Sequence, residues 1–259
     1  MARGTYLAFG VVAYLIFFAT FLYLIGFVAD LPGLPRTVDR GVPSELLPAL
    51  LVNLALISIF GLQHSIMARQ GFKRVWTHIV PQPIERSVYV LFASLALILL
   101  FAFWRPLPSV IWSVDNALGA ALLWGLFGLG WLIVLLSTFL ISHFELFGLK
   151  QVYLNLRGGA PAEPKFRQPF FYKMVRHPLY SGFFLAFWAT PVMTAGHLLL
   201  AVGMSVYMLI AIGHEERDLV GLFGQDYENY RHDVGMLTPR MRRRPRTTTG
   251  ESLDASVRH

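Results

Sequence analysis

Two short polar clusters in the C-terminal third of the chain hold residue types that could do chemistry. Arg176 stands before 38 residues that carry no Lys, Arg, Asp or Glu, the first of them His177, and Glu215 and Glu216 stand directly after these residues. If this apolar stretch folds back on itself, both clusters and Tyr180 face one pocket, an arrangement suited to a charged ligand. A salt bridge between Arg176 and one of the glutamates, without any ligand, fits the same spacing. The spacing alone leaves both interpretations open.

His64 is a second candidate, because it lies with Gln63 and Ser65 in a polar patch of an otherwise apolar segment. Polar side chains inside a membrane span are costly to bury and are candidates for function by default. A histidine at the membrane interface, without a chemical role, is the alternative. No group of side chains has the spacing of a metal site, so no metal is predicted.

The elements that must position these residues are membrane helices. Five charge-free windows interrupt the sequence, and about 20 apolar residues suffice to cross the hydrocarbon core. The first four windows each predict one helix, at Leu7–Val28, Leu46–Met67, Ser87–Trp104 and Ala117–Ile141. The fifth is too long for one crossing and contains Pro191 and Gly196, which favour a break. It predicts a hairpin of two short helices, over Leu179–Thr190 and His197–Gly213, with one long kinked helix as the alternative.

The composition agrees with a membrane protein and excludes several other classes. Of the 259 residues, 55% are hydrophobic and only 14% are charged, against about 25% charged residues in a soluble domain. There is no cysteine, which excludes disulfides, thiolate-held zinc, iron–sulfur clusters and a cysteine nucleophile. A net charge of +7 would suit a protein that binds nucleic acid. The positions of the basic residues along the chain indicate instead that they set the orientation of the protein in the membrane.

The basic residues predict the topology. All but three of the 22 Lys and Arg residues fall on one side if the N-terminus is cytoplasmic and the number of crossings is even, the exceptions being Arg36, Arg40 and Arg105. Positive residues concentrate on the cytoplasmic side of membrane proteins. We therefore predict an all-α integral membrane protein with four transmembrane helices and a C-terminal helical hairpin. The total is five to six crossings, with six favoured and both termini cytoplasmic.

The sequence predicts a single membrane domain over residues 1–240. Residues 241–259 predict a basic, disordered tail, since they continue an arginine-rich run and are rich in Thr and Ser. This run suits the surface of an anionic lipid bilayer better than a nucleic acid.

Several motifs, in order, resemble the C-terminal signature of integral-membrane methyltransferases. They are Arg176-His-Pro-Leu-Tyr-Ser-Gly182, the apolar hairpin, Glu215-Glu216 and Phe223-Gly-x-x-Tyr-x-x-Tyr230. The isoprenylcysteine carboxyl methyltransferases and the phospholipid N-methyltransferases share this signature. Four further segments, at 63–69, 85–89, 143–151 and 187–191, are similar to the methanethiol S-methyltransferase branch. NnrU-like proteins are near relatives of that branch.

The resemblance implies S-adenosylmethionine (SAM) as the methyl donor, bound on the cytoplasmic side beneath the hairpin, within a core of about 143–235. Carried over onto this sequence, the cofactor-binding residues are Gln151, Tyr172, Arg176, His177, Pro178, Leu179, Tyr180, Glu215 and Glu216. A carboxylate in a pocket of low dielectric constant is a strong partner for the sulfonium or the ammonium group of SAM.

The resemblance also implies methylation of a small volatile thiol, methanethiol, to dimethyl sulfide at a bacterial inner membrane. The thiolate is the nucleophile in such a reaction. His64 is the predicted base, because the unperturbed pKa of histidine, about 6.5, suits proton removal near neutral pH. His143 and Tyr172 are rivals for this role.

Two departures from the related families bear on the alternatives. The prenylcysteine enzymes resemble this chain but carry an arginine where it has Ala211, which counts against a prenylcysteine substrate. A His-x-Leu-Val stretch of those enzymes is replaced here by Pro164-Lys-Phe-Arg167, so the cofactor contacts of that loop stay open. The alternatives are a methyltransferase acting on a lipid or prenylcysteine, or a non-enzymatic NnrU-like protein that binds haem through His64 and another intramembrane histidine.

Overall fold

The computed structural model describes residues 2–159 and 168–240, which form ten α-helices, two short β-strands and one 3-10 helix. The helices are α1 (Ala2–Val28), α2 (Leu46–Ala68), α3 (Gln70–Trp76), α4 (Gln82–Phe103), α5 (Ala117–Ile141), α6 (His143–Leu146), α7 (Leu149–Arg157), α8 (Pro178–Trp188), α9 (Ala195–Phe223) and α10 (Gln225–Asp233). The strands are β1 (Val110–Ser113) and β2 (Val192–Thr194), and the 3-10 helix covers Phe170–Lys173. The predictions for 164–167 and for the 241–259 tail lie outside the described residues.

Five helices, α1, α2, α4, α5 and α9, are long and apolar enough to cross a membrane. The prediction of an all-α, multi-pass membrane protein is therefore confirmed. The first four coincide with the predicted spans, except that α1 and α4 begin five residues earlier, at Ala2 and Gln82. The added turn of α4 carries Glu85 and Arg86, because a helix can continue past the hydrocarbon core into the polar interface, where charges are solvated.

The fifth window folds as a hairpin, so the alternative of one kinked helix is wrong. α8 ends at Trp188, the chain reverses through β2, and α9 runs back for 29 residues. The imidazole of His197 closes the turn, with its Nε2 atom 3.0 Å from the carbonyl oxygen of Phe187. α9 continues past the predicted end at Gly213 to Phe223. The glutamate pair consequently lies on this helix rather than after it.

Contacts at the hairpin tip show which helix ends lie together. β1 pairs with β2 in antiparallel fashion, and the hydroxyl of Thr194 donates to the carboxylate of Asp39 at 2.5 Å. Asn53 exchanges two hydrogen bonds with the backbone of Arg105. These contacts join the α1–α2 connection, the α4–α5 connection, the N-terminal half of α2 and the hairpin turn at what we call the tip end. α8 has 11 residues and is not among the five helices long enough to cross a membrane, so the structure supports five candidate spans rather than the favoured six. The long helices and the α8–α9 hairpin alternate in direction, and both ends of the described chain lie at the opposite end, the base end.

α5 and α8 pack with their backbones in contact. A Cβ atom added at Gly130 on α5 would lie 2.7 Å from the carbonyl oxygen of Gly182 on α8, and the reverse distance is also 2.7 Å. Small residues permit this close approach of helices within a membrane. This packing holds α8, which follows Arg176 and His177, against α5.

Candidate active site

A cavity of about 510 Å³ lies among α1, α2, α4, α5, α8 and α9. Its volume is typical of ligand pockets, which measure about 300–1,000 Å³. Most of its wall is apolar, with the aromatic rings of Phe17, Phe18, Phe21, Phe60, Trp131, Phe147, Phe183 and Phe187. Its polar side chains lie mostly toward the base end and are His64, Arg86, Tyr89, Ser94, Thr138, His143, Tyr180 and Tyr207.

His64 faces this cavity with one ring nitrogen unused. Its Nε2 atom lies 2.6 Å from the hydroxyl oxygen of Tyr89, while Nδ1 is buried and has no hydrogen-bond partner among the described residues. The rings of Phe60 and Tyr207 neighbour the imidazole, with centroid distances of 5.4 and 6.0 Å. In the tautomer with its proton on Nε2, the imidazole donates to Tyr89 and leaves Nδ1 able to accept a proton.

Arg86 brings a positive charge to the cavity wall. Its guanidinium carbon lies 4.9 Å from the centre of the Tyr89 ring, and its Nε–H donates to the carbonyl oxygen of Leu146 at 2.7 Å. Among the lining residues, all of which are in the described part of the chain, it alone carries a permanent charge. Sequence reasoning did not select Arg86 or Tyr89 as site residues, although the 85–89 motif could have indicated both.

His143 lines the same cavity, but both of its ring nitrogens are engaged. Nδ1 lies 2.9 Å from the hydroxyl of Thr138, and Nε2 lies 2.9 Å from the hydroxyl of Tyr14. The imidazole also stacks on Phe139 at 4.3 Å, and burial lowers the pKa of His143. These contacts tie α1 to the end of α5. Within the described ranges, His64 therefore offers a ring nitrogen without a partner, and His143 does not.

Arg176 and Glu216 form a buried ion pair that anchors the C-terminal segment. The Nε atom of Arg176 lies 2.7 Å from Oε1 of Glu216, and the two side chains are 11% and 12% exposed. The same guanidinium donates to the backbone carbonyls of Arg231 and Val234. The salt-bridge interpretation thus describes these two predicted residues, whose charges neutralise each other.

Glu215 has a different environment from its neighbour. Its side chain is 47% exposed, and its nearest basic group is Nδ1 of His177 at 3.9 Å. Within the described ranges no Lys or Arg side chain forms an ion pair with it. His177 is buried, and its other nitrogen lies 3.1 Å from Glu216. Glu215 is therefore the carboxylate of the pair whose charge is open to a ligand.

Tyrosines stand around Glu215 and connect it to the cavity. The carboxylate interacts electrostatically with Tyr172, Tyr180 and Tyr207. Burial, followed by the charge of Glu215, raises the pKa of Tyr172, so this hydroxyl stays protonated at neutral pH and suits hydrogen bonding rather than proton removal. Because Tyr180 and Tyr207 also line the cavity, the cavity and the Glu215 cluster share a wall.

Two tyrosines of α10, Tyr227 and Tyr230, support this cluster. The hydroxyl of Tyr230 donates to the carbonyl oxygen of Tyr172 at 2.5 Å, and burial raises the pKa of Tyr230 to about 12. Burial and then the charge of Glu216 raise the pKa of Tyr227. Both residues belong to the motif that closes the signature, and here they pack α10 against the site.

The remaining predicted residues are more dispersed. Leu179 lines the cavity, and Pro178 begins α8 and is buried. Gln151 lies on α7 and does not line the cavity. Its side-chain nitrogen donates to the carbonyl oxygen of Glu145 at 2.9 Å, and its Oε1 atom is buried without a partner in the part of the chain that the structure describes.

Fold and site together define a class: a multi-pass helical membrane protein in which an apolar chamber adjoins an acid–histidine–tyrosine cluster. Comparison with known proteins narrows the class. The chain is 53% identical to a methanethiol S-methyltransferase of Mycobacterium tuberculosis, over 92% of this chain and 98% of the relative. It is 53% identical to methanethiol S-methyltransferase 1 of Bradyrhizobium diazoefficiens, over 89% and 81%. The chain belongs to the methanethiol S-methyltransferase family.

A more distant relative fits the wider resemblance. A nurim homolog of Drosophila pseudoobscura pseudoobscura is 33% identical over 72% of this chain and 76% of the relative. No protein-family model matches the chain, and no solved structure matches it significantly.

Proposed function

We propose that this chain transfers a methyl group from SAM to methanethiol and releases dimethyl sulfide. Relatives that are 53% identical carry the name methanethiol S-methyltransferase. The observation that carries the proposal is the shared wall, because Tyr180 and Tyr207 line the apolar cavity and also interact with Glu215. A place for a charged cofactor thereby adjoins a niche for an apolar substrate, which is what methyl transfer between them requires.

Glu215 fits the positively charged end of SAM. When bound, SAM supplies a methyl group activated by a positive sulfonium, and it also carries an ammonium group. Glu215 has no Lys or Arg partner in the described residues, so its carboxylate is available to either group. Tyr172, His177 and Tyr180 stand beside this carboxylate and would hold the same ligand.

The other proposed cofactor residues would act in different ways. Arg176 and Glu216 would position His177 and the C-terminal segment through their ion pair. Leu179 would contact the ligand from the cavity wall, and Pro178 fixes the first turn of α8. The Oε1 atom of Gln151, which has no partner among the described residues, is an acceptor suited to an amino group.

His64 is the proposed base. The proton of the thiol passes to Nδ1 of His64 while Tyr89 holds the other ring nitrogen. The positive charge of Arg86 on the cavity wall stabilises the thiolate that results. Both effects are needed, since a free thiol with a pKa of about 8.5 is only a few per cent ionised near neutral pH.

The apolar wall has a role of its own. With SAM bound, the charges of thiolate and sulfonium would neutralise each other in the transition state, and water would stabilise the separated charges more than that state. A cavity that excludes water therefore lowers the barrier, and rings such as Phe60 and Phe183 provide that exclusion.

We place this reaction at the cytoplasmic face of a bacterial inner membrane. The base end carries the N-terminus, the 69–86 connection and the residues after α9, where the basic residues concentrate. This distribution follows the positive-inside bias, with both termini in the cytoplasm. The Glu215 cluster lies at the same end, facing the compartment from which SAM is supplied.

The two alternatives receive less support. Ala211 lacks the guanidinium with which the resembling prenylcysteine enzymes hold a carboxylate, and the cavity wall offers few groups for a polar lipid head group. A haem-binding protein would show a Soret band in the optical spectrum of the purified chain. We expect no such band.

The test is an assay of the purified protein in detergent with labelled SAM and a panel of thiols and lipids, with gas chromatography of the volatile products. We expect dimethyl sulfide from methanethiol. Methylation of a lipid without any product from methanethiol would overturn the proposed function.

A further inference from the structure

The apolar cavity opens sideways between two helices. Four of its lining side chains are more than 40% exposed, namely Phe18 and Leu22 on α1 and Leu132 and Leu135 on α5. Every other lining residue is buried or half-buried. The exposed residues thus lie along one edge of α1 and one edge of α5, and we call the gap between these edges the portal.

The packing of the bundle explains why a gap exists here. α1 packs on α4 and α7, whereas α5 packs on α8, so the two helices have their main contacts elsewhere. Two aromatic contacts limit the portal along the direction of the helices. Phe21 contacts Trp131 with a centroid distance of 5.5 Å, and Phe17 stacks on Phe147 at 3.9 Å nearer the base end.

The portal faces hydrocarbon rather than water. Phe18 and Leu132 are each at least 12 positions from the nearest charged residue in the sequence, which is about 18 Å of helix. Its four edge residues are all aliphatic or aromatic. A molecule that enters here therefore comes from the interior of the bilayer and must be apolar.

We propose that the portal admits apolar thiols dissolved in the bilayer, and that the chain methylates alkyl and aryl thiols larger than methanethiol. This inference rests on the proposed function. The step is the same as for methanethiol: the sulfur loses its proton to His64, and a sulfur–methyl bond forms as the methyl leaves the sulfonium of SAM.

The size of the cavity supports the wider substrate class. A cavity of about 150 Å³ holds benzene, and the one described here measures about 510 Å³. The cofactor would take up part of this volume next to Leu179 and Tyr180. Methanethiol has only two non-hydrogen atoms, so it would fill little of the apolar part that extends from there to the portal. Longer thiols also concentrate in the bilayer, because each added methylene group raises partitioning from water about four-fold.

Tryptophan substitutions at the portal test the route, with neighbouring lipid-facing positions as matched controls. Leu132→Trp and Leu135→Trp narrow the opening. Leu129→Trp and Leu136→Trp add the same bulk on α5 at residues that are 45% and 41% exposed but do not line the cavity. The proteins are reconstituted in phosphatidylcholine vesicles, and kcat/KM is measured with methanethiol, 1-butanethiol and benzenethiol. SAM affinity of each variant shows that it is folded.

We expect the unmodified chain to methylate all three thiols. The two portal variants should lose about ten-fold or more in kcat/KM for the larger thiols, within the range over which entry rates vary among variants, while the two controls stay unchanged. Leu132→Ala, which widens the portal, should favour benzenethiol over methanethiol. Equal values for portal and control variants would refute the route, and methylation of methanethiol alone would refute the wider substrate class. If the unmodified chain methylates no thiol, the proposed function itself fails before any variant is compared.

Discussion

Replacing the two adjacent glutamates one at a time should produce opposite defects. Glu215→Gln removes a charge that is half exposed and has no Lys or Arg partner in the described part of the chain. We expect thermal stability close to that of the unmodified chain, together with weaker binding of SAM. A hydrogen bond between charged groups contributes about 1.5–3 kcal/mol, so the Kd for SAM should rise roughly 10- to 150-fold.

Glu216→Gln should act on stability instead. It leaves the guanidinium of Arg176, which is 11% exposed, without the carboxylate that lies 2.7 Å away. Removal of one partner from a buried ion pair costs about 3–5 kcal/mol. The low end applies here, since Arg176 keeps the carbonyl acceptors of Arg231 and Val234. At roughly 2–4 °C per kcal/mol, a loss of about 3 kcal/mol lowers the melting temperature by about 6–12 °C.

Both variants can be measured in one detergent by thermal unfolding and by calorimetric titration with SAM. Because the expected defects differ between the two positions, a general loss of stability would not reproduce them. If Glu215→Gln melts early while Glu216→Gln binds SAM poorly at an unchanged melting temperature, the assignment of the two carboxylates is reversed. Equal defects in both variants would refute the separation of their roles.

Two further predictions concern the base and the helix packing. His64→Gln should lower kcat by about 10²- to 10⁴-fold, the usual contribution of a general base, with unchanged SAM affinity by calorimetry; retained turnover would remove His64 from the mechanism. Gly182→Ala places a Cβ atom 2.7 Å from the carbonyl oxygen of Gly130 and should cost about 1–3 kcal/mol in thermal unfolding. Gly125→Ala, whose Cβ meets no atom within 4 Å, is the control and should not destabilise. Equal melting temperatures for the two alanine variants would contradict a tight contact between α5 and α8.

Local patterns of the sequence were sufficient for the membrane helices. A charge-free run of about 20 apolar residues is costly to expose to water, whatever the rest of the chain does. The local sequence therefore suffices to predict the helices that the structure places at Leu46–Ala68 and Ala117–Ile141. Pro191 and Gly196 likewise mark the hairpin turn through their backbone preferences. The end of α9 was less predictable, because charged residues such as Glu215 are compatible with a helix that continues beyond the membrane.

The order of the motifs also indicated the candidate site residues, but not which groups each of them contacts. Consecutive residues on a helix point about 100° apart, so Glu215 and Glu216 face different surroundings although the sequence presents them as a pair. Only the packing of α9 against the residues that precede α8 pairs Glu216 with Arg176 and leaves Glu215 open.

The sequence by itself determined the class of the protein, its helices and its family motifs, since these depend on local hydropathy and on residues in order. Tertiary structure decided the rest. It joined His64 to Tyr89, brought Arg86 to the cavity wall and opened the portal between α1 and α5. Such contacts join residues that are distant along the chain, and the relative rotation of packed helices, which no local pattern encodes, determines them.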